Sequence, residues 1–184
     1  MDVNEENGVA ESSPKIYLDY NATTPLEPSV LTAIHDALRD AWGNPSSSYA
    51  AGKKAGHVIK EARLSVANMI GALEGDIIFT SGGTEANNMV IHSGLEHFYE
   101  FHRERENHIS DMKPHVITSN LEHDSIQLPL LHLAEQGKIE LTFVPASQDS
   151  GAVTTEAILN KVRPSTCLVT VMMANNETGV IQVT

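Results

Sequence analysis

The chain has 184 residues, 41% of them hydrophobic, enough to bury a sizeable core as one domain or as a large part of a bigger one. Lys and Arg total 12 against 24 Asp and Glu, and the formal net charge of -12 repels nucleic acid and anionic membrane surfaces, so neither is expected as a partner. The longest apolar stretch runs only from Leu168 to Ala174, far short of the roughly 20 residues a bilayer-spanning helix needs.

Residues 1–15 read as a disordered acidic tail. Before Lys15 they hold Asp2, Glu5, Glu6 and Glu11 but no Lys or Arg, so they lack the basic start of a signal peptide and the Arg-rich face of a transit peptide. Residues 16–75 are expected to be an N-terminal helical segment. Pro28 opens a helix with Leu31, Ile34, Leu38 and Trp42 at helical spacing, and Gly43 stops it before the turn-rich run Asn44-Pro45-Ser46-Ser47-Ser48. A second helical pattern, from Ile59 through Val66 and Ile70 to Leu73, is expected to end at Gly75.

From residue 76 the chain alternates between short apolar runs and amphipathic stretches. Ile77 to Thr80 reads as a buried strand, Thr84 to about Arg103 as a helix, Glu104 to Pro114 as a polar surface loop and Val116 to Ser119 as the next strand. Ile126, Leu130, Leu133 and Ala134 mark a helix that Gly137 ends, and Ile139 to Val144 is a strand. Thr155 to Val162 follows as a short helix and Cys167 to Met173 as a strongly apolar strand. Such alternation implies an α/β fold with a mostly parallel sheet and helices on both faces. Ligands in such sheets bind at the carboxyl ends of the strands, which directs attention to the loops beginning at Ser81, Asn120 and Asn175.

Cys167 is the only cysteine, so no intrachain disulfide can form, and its apolar neighbours point to a buried, unreactive thiol in a cytosolic, reducing compartment. His92, His97 and His102 recur every five positions, which scatters them around a helix, and no metal site is expected of them.

Three loops carry chemistry. In Ser81-Gly82-Gly83-Thr84-Glu85 two glycines let a ligand approach the backbone, and the following helix start presents unpaired N–H groups and a positive dipole end, which suit a phosphate. An ordinary turn capped by Thr84 explains those five residues equally well. Glu122-His123-Asp124 sets an imidazole at the same rim, where a planar ring can stack on a planar cofactor or simply cap a helix. Asn175-Asn176-Glu177-Thr178-Gly179 places amides directly after a core strand, either to meet a ligand or to shape a turn around Gly179.

Taken in order, Tyr17-Leu18-Asp19-Tyr20-Asn21-Ala22-Thr23-Thr24-Pro25, Gly43-Asn44-Pro45-Ser46, Phe79-Thr80-Ser81-Gly82-Gly83-Thr84-Glu85, Glu122-His123 and the Asn175–Gly179 loop resemble the pyridoxal-phosphate-dependent cysteine desulfurase and selenocysteine lyase family, from about Ile16 onward. The resemblance implies part of the large domain of a fold-type I enzyme with pyridoxal 5'-phosphate as cofactor. It implies that Gly83 and Thr84 bind the phosphate, His123 stacks over the pyridine ring, Asn176 faces the ring's substituents, and Asn21 and Asn44 lie near a small amino-acid substrate. It also implies a homodimer. Ser47-Ser48-Tyr49 stands where the desulfurases usually carry a His in a longer loop, which resembles the selenocysteine lyase side of the family, as do the polar insertion and the untargeted acidic start.

The family's Schiff-base Lys follows a His downstream of the Asn-Asn-Glu loop. None of Lys15, Lys53, Lys54, Lys60, Lys113, Lys138 and Lys161 follows a His, and the family's catalytic-Cys loop has no counterpart here. The chain is therefore expected to be inactive alone, with exposed apolar faces and poor solubility. A desulfurase acting on L-cysteine, or a non-catalytic isoform pairing with a full-length subunit, are the competing expectations.

Overall fold

A computed structural model describes residues 15–103 and 112–182. The acidic tail before Lys15 and most of the polar loop after Arg103 lie outside the described residues. The elements are helices α1 (Pro28–Asp40), α2 (Ala50–Ile70) and α3 (Gly83–Arg103), strand β1 (His115–Ser119), helix α4 (Asp124–Glu135), strand β2 (Glu140–Val144), helix α5 (Thr155–Leu159) and strand β3 (Thr166–Thr170).

The sheet has the order β2-β1-β3 with both pairings parallel, as strands joined by helical crossovers require. Every residue of β1 is buried, which explains why its sequence, His115-Val116-Ile117-Thr118-Ser119, lacks the polar alternation of a half-exposed strand. Successive residues of β1 feed opposite layers. Val116 packs with Ile91 and Leu95 of α3 and with Leu130 and Leu133 of α4. Ile117 packs with Val144 and Val153, supported by Ala157 and Ile158 from α5. Helices thus cover both faces, and the α/β reading of the sequence holds.

Several boundaries differ from expectation: α1 stops at Asp40, short of Trp42, α5 at Leu159 rather than Val162, and β3 at Thr170 rather than Met173. Helix α2 ends at Gly71 rather than Gly75, because Gly71 takes the left-handed conformation (φ 71°) and the Ala72 N–H returns to the Ala67 carbonyl at 2.9 Å, closing the last turn. Gly75 sits instead in a short 3-10 turn, Glu74–Asp76. Ile77 to Thr80 forms no strand: the segment finds no ladder partner among the described residues, and Ile78 and Phe79 are 64% and 50% exposed. It is held to α2, with Arg63 Nε donating to the Ile77 carbonyl at 3.2 Å and the guanidinium 5.1 Å from the Phe79 ring centre. No helix among the described residues is long and apolar enough to cross a membrane.

Candidate functional site

Because β1, β2 and β3 are parallel, their carboxyl ends share one edge of the sheet, and side chains fasten the loops leaving that edge to one another. After β1, Asn120 Oδ1 accepts the Ala146 N–H at 2.9 Å, clasping the exit of β2. The Glu122 carboxylate accepts the Ser119 hydroxyl at 2.8 Å and, at 2.7 Å, the Met172 N–H from the exit of β3. Sequence reasoning gave Glu122 no role; its donors come from different segments, so no local pattern marks it.

His123 is the N-cap of α4. Its Nδ1 accepts the Ser125 N–H at 3.0 Å, which leaves the proton of a neutral ring on Nε2. Ser125 Oγ lies 2.8 Å from the same nitrogen and accepts from Asn87 Nδ2 of α3 at 2.8 Å, so two helices fix the plane of an otherwise exposed imidazole. The helix-capping reading of His123 is therefore correct, and capping uses only one edge of the ring.

The turn ahead of α3 is organised by the Glu85 carboxylate, which accepts the Ser81 N–H at 2.5 Å; that bond holds the Glu85 carboxyl below the usual carboxylate range. The first-turn N–H groups of α3 have no intrahelical acceptor. A Cβ built on Gly82 or Gly83 meets nothing within 4 Å, and neither glycine has a positive φ. No described residue requires glycine at either position, and the open space leaves the backbone free for close approach of a ligand.

Asn175 turns out to be the loop's internal brace. Its Oδ1 accepts the N–H groups of Glu177 at 3.0 Å and Thr178 at 2.8 Å, and its Nδ2 donates to the Leu121 carbonyl at 3.1 Å. That leaves the exposed Asn176 side chain uncommitted, while its carbonyl accepts from Asn21 Nδ2 at 3.2 Å.

Two open cavities result. One, of about 620 Å³, is lined by Asn21, His123 and Asn176. The other, of about 670 Å³, runs between α3 and α4 and is lined by Thr84, Asn88, His123 and Lys138 among others. His123 belongs to both. The His123 imidazole thus borders Thr84's cavity on one hand and that of Asn21 and Asn176 on the other, while Gly83 lines neither. Asn44 lies apart: it lines neither cavity, and its Oδ1 accepts the Ser46 N–H at 2.9 Å, the turn-closing role of that residue type. The three helical histidines diverge, His92 lining the α3–α4 groove while His97 and His102 line a separate hollow beside Cys167. Cys167 is half-buried rather than fully buried, and burial pushes its thiol pKa up.

The fold and its loops have close counterparts. The model of the class-V aminotransferase family, a pyridoxal-phosphate-dependent family, matches residues 16–184. The selenocysteine lyase of Xenopus tropicalis is 56% identical over 181 residues, 98% of this chain and 42% of that protein. The mitochondrial cysteine desulfurase of Arabidopsis thaliana is 39% identical over 176 residues, 95% of this chain and 36% of that protein. Among solved structures, a NifS-like protein superposes with a TM-score of 0.80 at 31% identity, covering 92% of this chain and 43% of that one. The chain spans less than half the length of these relatives. With the matched region reaching from Ile16 through all three loops of the sheet edge, the chain belongs to the class-V aminotransferase family.

Proposed function

We propose that these residues form the phosphate-facing and ring-facing side of a pyridoxal 5'-phosphate site in a selenocysteine lyase, which converts L-selenocysteine to L-alanine and releases selenium. The observation that carries the reading is the meeting of Thr84, His123 and Asn176, from three separate loops, on cavities that share one imidazole. The residues fit the cofactor: a glycine turn with open space in front of it and a helix start suit a dianionic phosphate, and a ring with a fixed plane suits a pyridine.

In this reading the N–H groups at the start of α3 and the Thr84 hydroxyl hold the phosphate. His123 lays its ring against the cofactor, with its proton kept on Nε2 because the Ser125 N–H occupies Nδ1. Asn176 offers its amide to the ring substituents, and Asn21, tied to the Asn176 carbonyl, borders the substrate side. Bound there, the cofactor supplies an electron sink for cleavage beside the amino-acid α-carbon. Lys138 lines the α3–α4 groove but does not follow a His, the context in which the family carries its Schiff-base Lys. A cytosolic, homodimeric enzyme of selenium metabolism completes the proposal.

Identity of 56% to a selenocysteine lyase against 39% to a cysteine desulfurase favours selenocysteine over cysteine as substrate. The test joins residues 16–184 to the downstream part of the Xenopus tropicalis enzyme. With pyridoxal phosphate, the chimera should form alanine from L-selenocysteine with a kcat/KM at least roughly tenfold above that for L-cysteine. Equal or greater efficiency on cysteine establishes the desulfurase reading instead.

A further inference from the structure

The loops after β1 and β3 are not joined by the sheet beyond the pair Thr118↔Thr170, yet two side chains cross between them in opposite directions. Glu122, buried, reaches from the β1 exit to the Met172 N–H at 2.7 Å. Asn175 reaches from the β3 exit to the Leu121 carbonyl at 3.1 Å. Both residues line the cavity themselves, and each is directly bonded in sequence to another lining residue, Glu122 to His123 and Asn175 to Asn176. A side chain pinned across the gap limits how far the backbone carrying its neighbour can move, so each crossing bond restrains the residue beside it.

We propose that Glu122 and Asn175 are a reciprocal pair of positioning residues that set the separation of His123 and Asn176 across the cavity. The proposal rests on the reading of that cavity as the cofactor site. Both bonds to the Glu122 carboxylate, from the Met172 N–H and the Ser119 hydroxyl, end on one oxygen, Oε1. A glutamine can keep that oxygen in place, and an alanine cannot. In Asn175 the two halves of the amide divide the labour, since Oδ1 shapes its own loop and Nδ2 crosses to the other. Asn175→Asp therefore keeps the bonds that Oδ1 accepts in the turn but sets a carboxylate against the Leu121 carbonyl, removing the crossing bond together with the weak 3.4 Å contact of Nδ2 with Met172 Sδ.

The test uses the 184-residue chain, uniformly labelled with nitrogen-15, and pyridoxal 5'-phosphate as the probe. Glu122→Ala should displace amide resonances across the gap, from Met172 to Thr178, and Asn175→Asp should displace those from Leu121 to Ser125, while Glu122→Gln leaves both loops in place. Affinity for pyridoxal phosphate should fall by about tenfold in Glu122→Ala and in Asn175→Asp, with the double variant losing less than the product of the two. Displacements confined to the substituted loop, or a loss in Glu122→Gln equal to that in Glu122→Ala, overturn the proposal. If Glu122→Ala fails to fold, Ser119→Ala removes one donor from the same oxygen and Asn175→Asp still reports across the gap. Failure of the unsubstituted chain to bind pyridoxal phosphate sinks the reading of the cavity, whereas the cross-loop displacements still decide the latch.

Discussion

His115 enters β1 with both ring nitrogens engaged, Nδ1 lying 2.8 Å from Thr166 Oγ1 of β3 and Nε2 2.8 Å from Thr142 Oγ1 of β2, so one buried imidazole ties all three strands. Burial lowers its pKa below the ordinary imidazole value, with the nearby Arg163 charge acting in the same direction. The unfolded chain then takes up this proton more readily than the folded one. The stabilisation is complete above about pH 6.5 and declines as the pH falls from there toward the lowered folded value, by at most about 1.4 kcal/mol per pH unit. Urea unfolding of the chain from about pH 7.5 to about pH 5 should show this loss. The slope attributable to His115 should vanish in His115→Asn. Nothing adjacent in sequence marks His115, because its partners stand 27 and 51 residues away. Glu122 was illegible for the same reason, its Met172 donor lying 50 residues on. The glycine turn, by contrast, was legible because its chemistry is local. Gly83→Ala should therefore keep or slightly raise stability, since alanine favours a helix by up to about 1 kcal/mol, while weakening pyridoxal-phosphate binding by about tenfold. Paired thermal melts and binding titrations check both halves of that expectation.

Elements that the sequence made plain are those whose cause is carried by their own residues. Runs such as Leu141-Thr142-Phe143-Val144 and Cys167-Leu168-Val169 gave strands, and the helix expected from Thr84 to about Arg103 is α3. The segment Ile77 to Thr80 has the same local character but no strand, because a strand exists only when a neighbour pairs with its backbone. The sequence reading put the end of α2 at Gly75, four residues beyond the glycine that stops it, and the backbone conformation separates the two. Gly71→Ala forces a side chain into a left-handed position and should cost roughly 1 kcal/mol. Gly75→Ala, at negative φ with open space around it, should cost almost nothing. Denaturation midpoints of the two variants decide which glycine stops the helix. In the layer between α4 and the sheet, Leu130 is fully buried, and Leu130→Ala should lose about 2–5 kcal/mol by opening a cavity.

At the scale of the whole molecule, the core lies around β1 while α1 contributes no buried residue to it. Leu31, Ile34 and Leu38 form one apolar stripe along α1, Trp42 follows just past its end, and Leu38 and Trp42 are 72% and 76% exposed. Such a stripe favours self-association. Substituting Leu38→Lys and Trp42→Lys together should raise the soluble yield without moving the unfolding midpoint, which sedimentation and thermal melts will show. The ordering of motifs made the family legible from the sequence, but not the convergence on His123, which depends on the parallel register that aligns the strand ends. The central claim is that this edge of the sheet holds pyridoxal 5'-phosphate, with the phosphate at the start of α3 and the ring at His123. Titrating the nitrogen-15-labelled chain with pyridoxal phosphate tests it most directly. Saturable shifts at Gly82 to Glu85, His123 and Asn176, with Asn44 unmoved, are the predicted result; no saturable shift, or shifts centred away from these three loops, contradicts the account.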